Sequence, residues 1–366
     1  MAPFWLSSGS LAAQNSMKRA LIAIFVACIA VAVAFAYLHH RRVEAQRRQF
    51  DASSPLFAAA SPAAPAPQPA PANHPAAPDL IHQLPAGAHA VAFADLAALR
   101  KASLTDELSA LAPNSSQDPA YTEFIRETGF DYSRDLDRAA AAFWPDTSAT
   151  SLVALAQGRF DESKIERYAL RNGGRRVKIH GAEVYEVPGQ NSRLVRFTFT
   201  RAGEIAIADG PAIAEILGPA ASRLDSQMSA RAAAVSSAPV YAIARSQDFA
   251  KDLDIDAAKN SQLAALLRSI RSITAVGQPV GENLSLSASA DCDSSVHAVE
   301  LSTTLQGLLW MGRAALADPK AQQQIGPQWP ALNALLKAAD ISHSTHFVRL
   351  RLQVTPQMLH STAASR

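Results

Sequence analysis

The stretch TGFDYSRDLDRA, Thr128–Ala139, places three aspartates and two arginines within twelve residues. Four of its side-chain oxygens alternate along the chain like the first ligands of a calcium-binding loop: Asp131, Ser133, Asp135 and Asp137. Such a loop needs a glycine at its sixth position and a glutamate at its twelfth, where this chain has Leu136 and Ala142. The stretch therefore does not predict a calcium site.

We interpret the stretch as the start of a helix. Asp131 or Ser133 would cap the helix, and Asp135 would lie near the positive end of its dipole. Two oppositely charged pairs would lie three residues apart on the helix surface: Asp135/Arg138 and Arg134/Asp137. Each exposed pair of this kind is worth only about 0.3–0.5 kcal/mol. Residues Ala139–Trp144 would continue the helix until Pro145 ends it.

Outward from this stretch, strand-like and helix-like segments alternate, which predicts an α+β body with mixed sheets and packed helices. We assign residues 79–237 to a first α+β unit, whose predicted strands are AHAVAFADL, SLVALAQGRF, RRVKIHGAEVYEV and RLVRFTFTRAGEIAIADG. Helices are predicted after the first strand, from Pro119 to a cap at Gly129, in DESKIERYALRNGG behind Asp161, and in PAIAEILGPAASRL.

A second α+β unit of similar size is predicted over residues 238–366, opening with the strand PVYAIARS. The apolar spacing from Leu263 to Ile273 predicts an amphipathic helix. The segment NLSLSASADCDSSVHAVELSTTL predicts two strands around the turn DCDSS, and two helices are expected at about 305–317 and 330–339. The segment HFVRLRLQV predicts a last strand with Val348, Leu350, Leu352 and Val354 facing inward.

The N-terminal part of the chain predicts a membrane anchor. After a short tail of residues 1–19, residues 20–38 form a run of nineteen residues without a charge. A helix of that length spans roughly the 30 Å hydrocarbon core, and this one would have no polar face. We therefore predict a single transmembrane helix or signal-anchor that attaches the protein to the membrane.

Several features of this anchor stay open. Ala34-Phe35-Ala36 resembles a cleavage site, so a signal peptide cut after Ala36 is the alternative to an uncleaved anchor, and translation could start at Met1 or at Met17. The arginines after residue 38 outnumber Lys18 and Arg19, which by charge alone favours a cytoplasmic body. The signal-like start and the long linker favour export, so we predict a single-pass inner-membrane protein whose C-terminal body is exported to the periplasm.

Residues 39–78 predict a linker, basic at first and then rich in proline and alanine. Proline lacks the amide donor and favours extended geometry, so this segment would be a semi-rigid, solvated spacer. Residues 1–78 hold six Lys/Arg and two Asp/Glu of totals of 34 and 32, which leaves 28 basic and 30 acidic residues in 79–366. The body therefore has a net charge of −2 and lacks the basic surface typical of nucleic-acid binding.

Three segments, TGFDYSRDLDR, QGRFDESKIE and HGAEVYEV, are together similar to segments of exported or membrane-anchored bacterial proteins. In that group a T-G-x-D-x-x-R-D-L-D stretch precedes a strand ending in G-x-F-D and a strand with G-x-x-x-Y. The group has no established activity, so the resemblance implies an origin and an architecture and supplies no site residues.

The sequence assigns no catalytic residue. It contains none of the patterns G-x-x-x-x-G-K-[ST], G-x-G-x-x-G, H-E-x-x-H or G-x-S-x-G, and we predict no cofactor and no metal site. Cys292 is interpreted as a small, partly buried hydrophobic residue. If the protein were an exported hydrolase, its best available candidates for catalytic residues would be Asp291, Asp293, His297 and His343. Polar turns explain these residues more simply. Four large apolar side chains are interpreted as core or groove residues, with the core as the default assignment: Trp310, Met311, Trp329 and Phe347.

The anchor, the spacer and the lack of catalytic patterns together favour a non-enzymatic binding or scaffold protein of the bacterial envelope. Its expected partners are the membrane, through residues 20–38, and another envelope protein. An exported hydrolase is the alternative. A pocket in which those acids and histidines converge would favour the hydrolase, and a broad exposed apolar patch would favour the binding protein.

Overall fold

The computed structural model of the chain describes residues 80–102, 119–145, 150–188, 194–209, 212–218, 223–245, 266–281, 283–319 and 329–355. The predicted membrane span and the predicted linker lie outside these residues. Among the helices that are described, none combines the length and the apolar character that a bilayer crossing requires.

Strands of the described residues pair only in the antiparallel sense and form one twelve-stranded sheet in the order β11-β12-β10-β9-β8-β1-β2-β3-β7-β6-β5-β4. The strands are β1 (Ala90–Asp95), β2 (Leu136–Pro145), β3 (Thr150–Gly158), β4 (Arg175–Ile179), β5 (Ala182–Pro188), β6 (Leu194–Arg201), β7 (Glu204–Asp209), β8 (Val240–Arg245), β9 (Ile270–Val280), β10 (Asn283–Cys292), β11 (Asp340–Ser344) and β12 (Phe347–Val354). With helices packed against it, this sheet confirms the α+β class.

A short 3-10 helix, Leu80–Gln83, precedes β1. The α-helices are α1 (Leu96–Lys101), α2 (Pro119–Thr128), α3 (Tyr132–Asp135), α4 (Glu162–Arg171), α5 (Ile213–Leu217), α6 (Ser226–Val235), α7 (Ser295–Leu316) and α8 (Trp329–Ala338). The predicted caps at Asp161 and Gly129 are confirmed. The Asp161 side chain accepts a hydrogen bond from the Lys164 amide, and Gly129 has a φ of 73° beyond the end of α2.

The helix predicted over Ala139–Trp144 is wrong, because these residues belong to strand β2, near the middle of the sheet. Ala141 lies between Ala92 of β1 and Ala154 of β3, so this part of β2 is paired on both sides. Alanine favours helices locally, but that preference is worth less than 1 kcal/mol per residue. Two ladders of hydrogen bonds and a buried face outweigh it.

The opening stretch forms a corner that ends where β2 begins. Asp131 caps the four-residue helix α3, as predicted, and its carboxylate accepts a hydrogen bond of 2.9 Å from the Ser133 amide. Asp135, however, is not a surface residue, because its side chain is only 9% exposed. Its carboxylate accepts hydrogen bonds from the Asp131 amide at 3.0 Å and from Arg134 Nη2 at 2.8 Å. Arg159, just after β3, approaches it to 3.2 Å.

Both predicted surface pairs of this stretch are therefore wrong. Arg138 pairs with Asp95 at 3.3 Å, and Asp137 pairs with Arg100 at 2.6 Å, so each reaches back to β1 or to α1. These partners lie far away in sequence because the chain leaves α3 as a strand. A helix would have kept the charges three residues apart on one surface.

Each face of the sheet has its own apolar core. We call the face that carries Val91, Ala140 and Leu155 face A, and the opposite face, which carries Ala156 and Ala290, face B. The 3-10 helix, α5 and α6 cover face A with residues such as Leu80, Ile213 and Met228. On face B, α4 packs against β5, β6 and β7, whereas α7 and α8 pack against β10 and β12.

Two predictions in the C-terminal part are wrong. The strand expected after the turn DCDSS is the first part of α7, a helix of 22 residues that Ser294 caps through the His297 amide at 3.1 Å. The predicted amphipathic helix ends early, because residues 266–269 are helical whereas Ile270–Val280 form β9. The predicted strands PVYAIARS, NLSLSASADC and HFVRLRLQV are confirmed as β8, β10 and β12.

The predicted boundary between the two units, at residues 237 and 238, lies just before β8. Strand β8 pairs with β1 of the first unit and with β9 of the second, so the hydrogen-bonded sheet is continuous across this boundary. The division into two folding units stays a prediction.

We expect Asp135→Asn to lower the free energy of unfolding by about 1–3 kcal/mol near neutral pH, because it removes the charge that Arg134 and Arg159 face inside the corner. Burial raises the pKa of Asp135, but the hydrogen bonds from Arg134 and the Asp131 amide, together with the two arginine charges, leave this pKa below its usual value. The stabilisation is thus present above the unfolded pKa of about 3.9 and is lost as pH falls through the lower folded pKa.

Urea denaturation of both proteins at about pH 7 and pH 3 tests this prediction. Glu123→Gln is the control, because Glu123 is 53% exposed and lies 3.7 Å from Arg126, a surface pair worth well under 1 kcal/mol. If the free energies of unfolding of Asp135→Asn and the unaltered protein differed more at pH 3 than at pH 7, the stabilising role of the charged Asp135 carboxylate would be contradicted.

We expect Gly158→Ala to destabilise the fold by about 1–3 kcal/mol, because overpacking against rigid backbone forces a shift. A Cβ atom at Gly158 would lie 2.3 Å from the Asp135 carbonyl oxygen and 3.1 Å from Leu136 Cα. Gly307→Ala is the matched control: the new Cβ meets nothing within 4 Å, and the helical position should gain about 0.5–1 kcal/mol. The unfolding temperature should therefore fall in Gly158→Ala and rise in Gly307→Ala. An unchanged unfolding temperature in Gly158→Ala would contradict the close contact at this corner.

Candidate interaction surface

Of the four residues considered for hydrolysis, only two are brought together. Asp293 Oδ1 lies 2.5 Å from His297 Nδ1, at the start of α7. Asp291 instead pairs with Arg231 at 3.0 Å, from a position on β10. His343, on β11, forms no ion pair or hydrogen bond with the other three within the described part of the chain.

The Asp293–His297 pair lies at the exposed end of α7, with 43% and 42% of the two side chains accessible. The hydrogen bond between them raises the pKa of His297 and lowers that of Asp293. A carboxylate just before the first turn is favoured by the helix dipole, and Ser294 caps the same turn. This geometry accounts for the pair as a helix-start contact, with no further acid or base at hydrogen-bond distance among the described residues.

Cys292, between the two aspartates, has a fully buried thiol. Burial raises its pKa, and the charges of Asp291 and Asp293 raise it further. Since the thiolate is the nucleophilic form, this cysteine stays a neutral thiol near neutral pH. It packs with Ile270, Ala298 and Val348 under α7, as its interpretation as a small hydrophobic residue predicted.

Within the described ranges, no group of three or more His, Cys, Asp or Glu side chains is placed to hold a metal ion. An open depression of about 430 Å³ lies near the end of β1, between Phe93, Tyr241 and Pro239. Its charged groups already have structural partners, because Asp95 caps α1 through the Ala98 amide at 2.7 Å and pairs with Arg138.

Helix α7 has two apolar sides. Its inner side buries Ala298, Leu301 and Leu316 against the sheet and α8. On its outer side four large apolar residues are exposed, by fractions of 64, 46, 71 and 43%: Val296, Val299, Trp310 and Met311. A helix that only had to cover the sheet would be polar on this outer side.

The outer residues follow the three- and four-residue spacing of one helix face. We define the α7 strip as these four residues together with the exposed small residues between them: Val296, Val299, Thr303, Gly307, Trp310, Met311 and Ala314. At 1.5 Å per residue, α7 is about 33 Å long, so the strip has an area of a few hundred Å². Glu300, which is also exposed, lies about 40° around the helix axis from Val296, so one charged side chain lies within the span of the strip.

The assignment of Trp310, Met311 and Phe347 to the core is wrong, because they are 71, 43 and 45% exposed. Their size and apolar character suggested burial, and the division of α7 into a strand and a shorter helix hid the common face of Val296 and Trp310. Extending the helical spacing back to the cap at Ser294 would have revealed the strip before the structure did.

Three arginines of the first unit, Arg171, Arg175 and Arg196, form ion pairs with glutamates. Arg171 binds Glu127 at 2.7 Å, and Arg175 Nε binds Glu186 at 2.5 Å. Glu186 is buried and also binds Arg196 Nε at 2.7 Å, so two arginines hold its pKa below the usual value, through hydrogen bonds first and charge second. This cluster therefore holds β4, β5 and β6 together.

No protein family and no curated protein matches the sequence. Comparison with solved structures matches the chain to three crystal structures of the protein TP0453, in crystal forms I, III and IV. The matches have 8–10% identity and TM-scores of 0.44–0.46, and they cover 79–80% of this chain and 97–100% of the TP0453 chains. Similarity this low establishes neither a shared fold nor a shared function.

We expect the pKa of His297, measured by NMR titration of the imidazole, to lie above 6.5 and to fall in Asp293→Asn, because the carboxylate stabilises the imidazolium. Since the folded pKa is raised, any stability from this pair is present below the unfolded pKa and is lost as pH rises through the folded value. Asp291→Asn is the control, because Asp291 pairs with Arg231. An identical His297 titration in Asp293→Asn and the unaltered protein would exclude the contact.

Proposed function

We propose that this protein is a membrane-tethered, exported binding protein of the bacterial envelope, without enzymatic activity, and that it binds another protein through the α7 strip. The observation that carries the proposal is the exposure of Trp310, at 71%, on the same helix face as Val296 and Val299. The anchor at residues 20–38 and the spacer at 39–78 supply the cellular location in this proposal, from the sequence alone.

An exposed strip of this kind fits a binding surface. Tryptophan is among the residues that contribute most to protein interfaces, because it removes a large area from water with little loss of side-chain freedom. The largest apolar patch on a typical monomer measures about 300–600 Å² and is often functional, and the strip is of this size. The inner side of α7 already anchors the helix to the sheet through Ala298 and Leu301, so a partner would dock on a rigid support.

The strip is smaller than the interface of a typical stable complex. Stable complexes bury about 800 Å² on each partner, more than one helix face offers. A partner would therefore also contact neighbouring elements or bind transiently. A spacer of about forty residues in extended geometry would reach on the order of 100 Å from the membrane, so the strip could meet a partner within the envelope.

We expect the double substitution Val296→Ser/Trp310→Ser in the full-length chain to abolish the protein partners recovered after crosslinking in intact envelopes. Both side chains are exposed, so the fold should keep its unfolding temperature. The matched control is Leu194→Ser/Val280→Ser, which removes exposed apolar side chains from β6 and β9, 38 and 51% exposed. The measurement is quantitative recovery of crosslinked partners from cells that contain equal amounts of each protein.

Unchanged crosslinks in the Val296→Ser/Trp310→Ser variant would overturn the proposal, and so would equal losses in both variants. A chain that starts at Asp79 separates the body from the tether: partners kept by the truncated body place the binding surface in the body. Loss of every partner from the truncated body would assign the interaction to the anchor and the linker.

A further inference from the structure

Face A changes character along the sheet. From β8 to β7 it is apolar and covered by the 3-10 helix, α5 and α6. Over β10 and β12 it carries hydroxyl, guanidinium and amide groups instead, whereas β9 still contributes Val276 to the apolar core. The helices α7 and α8, which pack on these strands, lie on face B. The described elements thus leave this part of face A open, except at the end where Arg231 of α6 pairs with Asp291 of β10.

Cross-strand register places these polar groups in ordered rows. Three serines alternate along β10 and lie opposite polar residues of β12: Ser289 opposite Arg349, Ser287 opposite Arg351 and Ser285 opposite Gln353. On the other side, Thr274 of β9 lies opposite Ser289. Residues directly opposite each other in an antiparallel pair point to the same face, so all of these side chains lie on face A.

The small serines between longer side chains leave a shallow trough. Strands lie about 4.8 Å apart, so the trough between β9 and β12 is roughly 10 Å wide, which suits one extended polymer chain. We define the polar trough by six residues: Thr274, Ser285, Ser287, Ser289, Arg349 and Arg351.

The charges of the trough favour an anionic ligand. Arg349 and Arg351 are exposed, and neither forms an ion pair or hydrogen bond with another described residue. Their positions two residues apart on one strand set their Cα atoms about 7 Å apart, so both guanidinium groups can reach neighbouring units of one ligand chain. Asp340 of β11 lies opposite Arg351 and is the acid that opposes this charge, whereas Asp291, at the trough end, is neutralised by Arg231.

A buried hydroxyl lies at the end of the trough, where Arg231 of α6 reaches Asp291. Ser272 of β9 is 3% exposed, and its Oγ has no hydrogen-bond partner within the described part of the chain. Two residues from Thr274 along β9, it points to the same face and lies opposite Asp291. A buried polar group without a partner is rare in proteins, and this one is too enclosed for a ligand in the trough to reach, so it does not form part of the trough.

We propose that the polar trough binds a linear anionic polysaccharide whose sugars carry carboxylates. Guanidinium groups form paired hydrogen bonds with carboxylates, and serine and threonine hydroxyls both donate to and accept from sugar hydroxyls. The trough is separate from the α7 strip, which lies on the other side of the sheet, so the inference goes beyond the proposed function and does not depend on it.

The test measures binding of fluorescently labelled polygalacturonate to the full-length chain in detergent, by fluorescence anisotropy. We expect Arg349→Gln/Arg351→Gln to weaken binding at least about tenfold, since hydrogen bonds to charged groups are the strong contacts of such a site. The matched control is Lys178→Gln/Lys337→Gln, which removes the same charge from exposed positions outside the trough and should change the affinity by less than about twofold.

Ser287→Val gives an independent check, because valine suits a strand yet fills the trough without hydrogen-bonding groups. It should weaken binding while the unfolding temperature stays the same or rises. Neutral dextran, polyphosphate and vesicles of phosphatidylglycerol complete the comparison, and binding should be weaker for each than for polygalacturonate.

Three results would overturn the proposal. The first is no binding of polygalacturonate by the unaltered protein, and the second is an equal loss of affinity in the arginine and lysine variants. The third is that polyphosphate or the vesicles bind more tightly than polygalacturonate and that Arg349→Gln/Arg351→Gln abolishes this binding. Such a result would assign the trough to phosphate groups. None of these results bears on the crosslinks made through the α7 strip.

Discussion

The pairing of β2 on both of its edges is the constraint on which the remaining structure depends. Leu136–Pro145 joins β1 to β3, and through them it connects the two halves of the sheet. Its alanines bury little apolar surface themselves, but their small size leaves room on face A for large side chains such as Leu155 and Tyr241. The corner at Asp135 fixes where this strand starts, because the buried carboxylate gathers Asp131, Arg134 and Arg159.

This corner brings the segments TGFDYSRDLDR and QGRFDESKIE into contact. TGFDYSRDLDR supplies Asp135, and QGRFDESKIE supplies Gly158 and Arg159, which contact it. The aromatic rings around the corner meet as well, since Phe130 lies 4.8 Å from Phe160. The third segment, HGAEVYEV, contributes Tyr185 to the core under α4. The acids and arginines of the opening stretch are thus used for architecture, which is the role that the sequence predicted for them.

The two open surfaces arise from the same layered fold. Helix α7 covers one end of face B, which leaves its own outer side to solvent, and the absence of a described helix over β10 on face A leaves the serine row open. One surface is largely apolar and carries an exposed tryptophan, whereas the other is hydroxylated and carries two arginines that form no ion pair with another described residue. Their chemistry differs so strongly that they suit different ligands, and a single tethered body can present both at once.

Local signals in the sequence determined much of this protein. Alternating apolar residues identified β8, β10 and β12, the caps at Asp131, Asp161 and Gly129 were correct, and the charge count described a nearly neutral body. These features depend on neighbours in the chain, so a sequence displays them directly. The apolar run at residues 20–38 belongs to the same class of signal, and its role as an anchor stays a prediction.

Tertiary structure alone decided the features that depend on distant partners. Ala139–Ala142 favour a helix in isolation and become a strand because β1 and β3 offer hydrogen bonds on both edges. Asp135 is buried because Arg159 arrives from another strand, and Trp310 is exposed because the inner side of α7 holds other residues. Register placed Ser287 beside Arg351, more than sixty residues away. Sequence fixes what each residue prefers locally, whereas packing between distant segments decides which preferences are met.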